Sequence, residues 1–103
     1  MNEQVIHNQQ SAGEIIRERL VSMGISQVEL ANRCDEHVQV ISAILNGQRE
    51  IPIPLSVKLD YALELEQGSI AVAQARYLAF QEAQNLKIPD PGSRRLPIFP
   101  VGR

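Results

Sequence analysis

Apolar residues recur at helical spacing in five stretches of the chain. Ile16, Leu20 and Met23 fall on one face at spacings of four and three, which predicts a helix over 12–23. Ser11-Ala12-Gly13-Glu14 opens it as a capping box, and Gly24 stops it. Ile25 then reads as a buried plug. Ser26-Gln27-Val28-Glu29 repeats the capping signature and launches a helix over 27–33, with Val28, Leu30 and Ala31 available for packing. Ala31 is small enough to admit a neighbouring helix closely. Asp35 falls where a corner asks for positive φ, which Asp tolerates better than most residues. A helix over 38–45 buries Ile41, Ile44 and Leu45, and Asn46-Gly47 ends it.

The loop Gln48–Pro54 is stiffened by Pro52 and Pro54, and proline suits the first turn of the next helix. That helix is expected over 54–65, with Leu55, Leu59, Ala62 and Leu63 or Leu65 inward. Gly68-Ser69 breaks it, and Ser69 is expected to cap a long helix over 70–87. Two stripes run along this last helix. One is Ile70, Ala73, Tyr77 and Phe80 or Gln81; the other is Ala71, Ala75, Leu78 and Glu82.

The ends read differently. Residues 1–10 are polar and uncapped, a flexible N-terminus. Residues 88–103 hold four of the six prolines and two of the six glycines, so they read as an extended tail. Leu96, Ile98, Phe99 and Val101 make the tail apolar, while Arg94 and Arg95 make it basic. Docking on a partner, packing on its own domain and dangling free all remain open for it. The expected domain is therefore 11–87, one small core in a chain of 103 residues that is 44% hydrophobic. Aromatic content is only 4%, with no Trp, so the core is aliphatic and suits packed helices. The class expected is all-α.

The stretch Met23–Gly47 carries the chemistry. It reads Ser-Gln-x-x-Leu-Ala, nine residues, then Ile-Ser-x-Ile-Leu-Asn-Gly. Two short helices joined by a tight corner form a helix-turn-helix, a unit that places one helix in the DNA major groove. A plain helical hairpin meets any one of its requirements. Here the cap at Ser26, small Ala31, corner Asp35, buried Ile41 and Ile44, and stop at Gly47 coincide.

Enzymatic chemistry finds no foothold. There is no Gly-rich phosphate loop, and Glu14, Glu18 and Glu29 sit on helix surfaces or in caps. The single cysteine, Cys34, excludes an intramolecular disulfide and a cysteine-rich zinc site. It reads as a partly buried structural thiol beside Arg33 and fits a reducing cytoplasm. Two scattered histidines make no metal site, and no cofactor is implied. No apolar run approaches the roughly 18–20 residues of a membrane span. The N-terminal MNEQVIHNQQ is too polar for a signal peptide. A cytoplasmic protein without a membrane partner is expected.

Gly24 to Ala31, with Ile41-Ser42 and Asn46-Gly47, resembles the Xre/Cro/phage-repressor helix-turn-helix family without a gap. Further out, Gly13-Glu14-Ile15-Ile16-Arg17-Glu18 and Gln74-x-x-Tyr77 resemble its HigA antitoxin branch, so that residues 11–87 are covered. Three departures stand out. Asp35 replaces the usual corner Gly, Ala71 to Ala73 stand near the place of a common Trp, and Ile51-Pro52 replaces the usual Thr or Ser before the fourth helix.

The resemblance implies a five-helix, lambda-repressor-like domain that binds double-stranded operator DNA as a homodimer. It places Ser26 and Gln27 at a phosphate, at the start of the second helix. His37, Val38, Gln39, Ser42 and Ala43 would face base edges. Gln39 suits adenine, and Val38 or Ala43 suits a thymine methyl. Asn46 and Arg49 would meet the backbone. Dimerisation is expected through the last helix, with the fourth as a second possibility, because Tyr77 and Phe80 are among the largest apolar groups outside the helix-turn-helix. The branch implies an antitoxin that neutralises a cognate, mRNA-cleaving toxin and represses its own operon. A stand-alone phage or plasmid-type repressor is the first alternative, and an interaction module that has lost DNA binding the second. Charge motivates the second. The net is −2, and the tail holds three arginines against one aspartate, so the body carries −4. Phosphate contacts then rest on local positive spots.

Overall fold

The structure is a computed structural model, and it describes residues 10–88. Five helices make up the described residues, with no strand among them: α1 Ala12–Met23, α2 Gln27–Arg33, α3 Val38–Leu45, α4 Ile53–Ala62 and α5 Ser69–Asn85. The expected N-terminal segment and tail lie outside the described residues, apart from Gln10 and Ile88.

The first capping box forms in full. Ser11 Oγ accepts from the Glu14 N–H at 3.2 Å, and the Ser11 N–H donates to Glu14 Oε1 at 3.1 Å. Gly24 closes α1 at φ 69, where its N–H reaches the carbonyls of Leu20 and Val21. The second box forms only by half. Ser26 Oγ accepts from the Glu29 N–H at 3.0 Å, but the Glu29 carboxylate turns to Arg33 at 3.2 Å, one helical turn on. An ion pair at i, i+4 wins the side chain that the box needs. Asp35 takes the corner at φ 54.

Two boundaries differ from expectation. α4 starts a residue early, at Ile53 with Pro54 in its first turn, and ends at Ala62. Glu64 adopts φ 58 and turns the chain, so Leu65 lies past the helix, its N–H on the Asp60 carbonyl at 2.8 Å. Ser69 does not cap α5. Its hydroxyl donates back to the Glu66 carbonyl at 2.6 Å, and Gly68 at φ 96 holds the cap position. Asp60 of α4 takes over: its carboxyl oxygens accept from the Gly68 N–H at 2.8 Å and the Ile70 N–H at 3.0 Å. With the Gly68 and Ile70 N–H groups on Asp60 and the Ser69 N–H on the Glu66 carbonyl, α5 is capped from α4 and from the turn before it.

Ile16, Leu20, Leu30, Ile41, Ile44, Leu55, Leu59, Leu63 and Ile70 are buried together, with Ala31 between α2 and its neighbours. Ile25 is half-buried against that core. α2 packs chiefly on α3, and α5 lies across α4 and α1. Gly13 marks a close crossing. A Cβ there would stand 3.0 Å from the Ile44 carbonyl oxygen, so α1 meets the end of α3 backbone to backbone. Cys34, at the end of α2, is fully buried rather than partly so. Burial pushes its thiol up; nearby Lys58 pulls the other way and Glu36 adds to the rise. The thiol stays protonated and inert at neutral pH.

Candidate nucleic-acid interface

Burial of Ile41, Ile44 and Leu45 decides which way α3 faces. Helical spacing then puts Gln39, Ser42, Ala43 and Asn46 along the opposite side. Gln39 and Asn46 are exposed; Ser42 and Ala43 are half-buried. Val38 differs from expectation in part, because its side chain also packs against the core. His37 is exposed at the N-cap of α3 and makes no side-chain capping bond. Gln27 is half-buried as the first residue of α2, and Ser26 is exposed, with its oxygen already taken by the Glu29 N–H. Arg49 is exposed in the loop beyond α3. These nine residues therefore lie on α3, at the start of α2 or in the loop after α3. Tyr77 and Phe80 sit apart on α5 and are half-buried.

Charge in this region is mixed. Asp35 and Glu36 precede α3, and Glu50 follows Arg49. Three arginines are committed to helix ends. Arg19 donates to the Leu63 and Glu64 carbonyls at 2.8 and 3.3 Å, and Arg33 to the Ala62 carbonyl at 3.1 Å. Arg17 donates to the Leu45 carbonyl at 3.2 Å and to Asn46 Oδ1 at 3.0 Å. Cations suit the negative C-terminal end of a helix, so these side chains serve the fold first. Arg49 makes no ion pair among the described residues.

Behind the loop lies a cleft of about 530 Å³, walled by the start of α1, residues 44–51 and the middle of α5. Arg17, Asn46, Arg49, Gln74 and Tyr77 all line it. Gln74 grips the loop through both amide atoms. Its Oε1 accepts from the Ile51 N–H at 2.7 Å, and its Nε2 donates to the Ile51 carbonyl at 3.0 Å. The roles of Arg17, Gln74 and Asp60 are not legible in the sequence. Partners 28 or 29, 23 and 8 to 10 residues away leave no local pattern.

Residues 16–66 match the family model described as helix-turn-helix. That match supports an Xre-type helix-turn-helix domain over this segment. No curated protein was found to match the chain. The domain's family supports the coarse function, a DNA-binding transcriptional regulator. The match spans α2, α3 and α4 and most of α1, and it stops before α5. No helix among the described residues is long and apolar enough to cross a membrane.

Proposed function

We propose that the domain binds operator DNA as a homodimer, with α3 of each copy in the major groove. One observation carries this reading: Gln39, Ser42, Ala43 and Asn46 share the face of α3 turned away from the core, with Arg49 just beyond. Gln39 pairs with adenine, Val38 and Ala43 offer methyls to thymine, and His37 and Ser42 flank them. Ser26, Gln27, Asn46 and Arg49 meet phosphates and set the register. Two copies read half-sites roughly 34 Å apart. The dimer forms through α5, at Tyr77 and Phe80.

We further propose a HigA-like antitoxin that neutralises a cognate toxin and represses its own operon. Its support is the use that the antitoxin-like residues find. Gly13 allows the α1–α3 crossing, and Gln74 grips the loop after α3. Co-purification from the intact operon tests it: a small ribonuclease-like partner is expected, and its absence leaves a stand-alone repressor.

Mobility shift with the gene's own upstream DNA tests the DNA reading. Gln39→Ala should lose roughly 1–3 kcal/mol of discrimination at one base position. Arg49→Ala should weaken all sequences alike and lower the salt slope by about 1. No shift at low salt from a confirmed dimer sinks the reading. It then favours an interaction module, which Asp35, Glu36 and Glu50 around α3 support.

A further inference from the structure

Residues 46–50 are exposed along their whole length and have no packing of their own. The first three are tied by their N–H groups to α3, at the carbonyls of Ser42, Ile44 and Ala43. Arg49 and Glu50 have no backbone hydrogen bond among the described residues. The segment is therefore slung between two side-chain anchors. At its start, Arg17 of α1 donates to the Leu45 carbonyl and to Asn46 Oδ1. At its end, Gln74 of α5 pairs with both the N–H and the carbonyl of buried Ile51.

We propose that Arg17 and Gln74 are positioning residues that hold Asn46–Glu50 in the pose that meets DNA phosphates. The proposal rests on the operator-binding reading above and extends it to two residues outside the helix-turn-helix pair. The chemistry of Asn46 gives it content. An Asn side chain has one acceptor oxygen and one donor nitrogen. Arg17 occupies the oxygen, so the amide left to a partner is a donor, and a phosphate is an acceptor. Gln74 fixes the residue from which Arg49 and Glu50 hang. Without these anchors, ordering the Asn46 side chain and the unbonded Arg49 and Glu50 on DNA costs entropy at each contact.

The test has two independent readouts on the full chain. In the free protein, amide hydrogen exchange is followed at 47–51 and at the core amides of α1 and α4. Gln74→Ala should speed exchange at Ile51 and its neighbours while the core amides hold their protection. On operator DNA, Arg17→Ala, Asn46→Ala and Gln74→Ala should each weaken binding roughly three- to tenfold, the scale of one net hydrogen bond. Asn46→Ala should leave the salt slope nearly unchanged, because a neutral amide contact releases no counterion, and the Arg17→Ala, Asn46→Ala double variant should lose no more than either single one. Gln74→Glu sets a carboxylate oxygen against the Ile51 carbonyl in place of the donor, so it should lose at least as much as Gln74→Ala. Unchanged exchange at 47–51 in Gln74→Ala overturns the proposal, as do additive losses at Arg17 and Asn46. Faster exchange in a chain whose wild type binds no DNA upholds the Gln74 anchor and overturns only the operator reading.

Discussion

Asp60 is 2% exposed, and both of its carboxyl oxygens accept backbone N–H groups at the start of α5. It does the work that the Gly68-Ser69 signature assigns to Ser69. Asp60→Ala leaves two donors without their partner and should cost about 2 kcal/mol in urea denaturation. Ser69→Ala should stay within about 0.5 kcal/mol. Asp35 is a second instructive residue. At φ 54 it occupies the corner where glycine is the least strained choice, and it brings negative charge to the approach of α3. Asp35→Gly should keep thermal stability at or slightly above wild type. It should also tighten DNA binding by about 0.5–1 kcal/mol at low salt, a gain that fades as salt rises. Looser binding from that variant shows that Asp35 contributes to the interface.

At the scale of elements, α1, α2 and α3 match the boundaries read from the sequence, because each is bracketed by local signals: a serine cap, a glycine stop, a corner Asp. α4 and α5 are less legible. The left-handed turn at Glu64 has no glycine to announce it, and the cap of α5 comes from another helix. α5 also carries the dimer question. Tyr77 faces the cleft, and the most exposed large apolar groups are Val72 on the helix and Leu86 at its C-cap, each about half exposed. α4 presents a second apolar line, Ile53, Val57 and Tyr61 at i, i+4 and i+8, with Tyr61 87% exposed. Phe80→Asp should raise the dimer dissociation constant at least tenfold by analytical ultracentrifugation, with helical circular dichroism unchanged. An intact dimer in Phe80→Asp that Tyr61→Asp dissociates moves the interface to α4.

For the whole molecule, charge is the governing quantity. Residues 10–88 carry seven Lys and Arg against ten Asp and Glu, and three of those arginines serve helix ends. The proposed operator binding therefore rests on fit, on Arg49 and on pairing two copies. Removal of residues 88–103 should leave operator affinity within about twofold, because none of the proposed contacts lies there. A collapse of binding places Arg94 and Arg95 on DNA.

What the amino-acid sequence determined by itself is what neighbours along the chain decide. Helix period, serine caps, glycine stops and the corner at Asp35 act over three or four residues, so the five-helix class and the side of α3 turned away from the core were legible. Tertiary structure alone decided the long-range hydrogen bonds. Arg17 to Asn46, Gln74 to Ile51 and Asp60 to the start of α5 join residues that only the packed helices bring within 3 Å or so of each other. A polar side chain in a sequence shows its donors and acceptors, but not which buried carbonyl or N–H will need them.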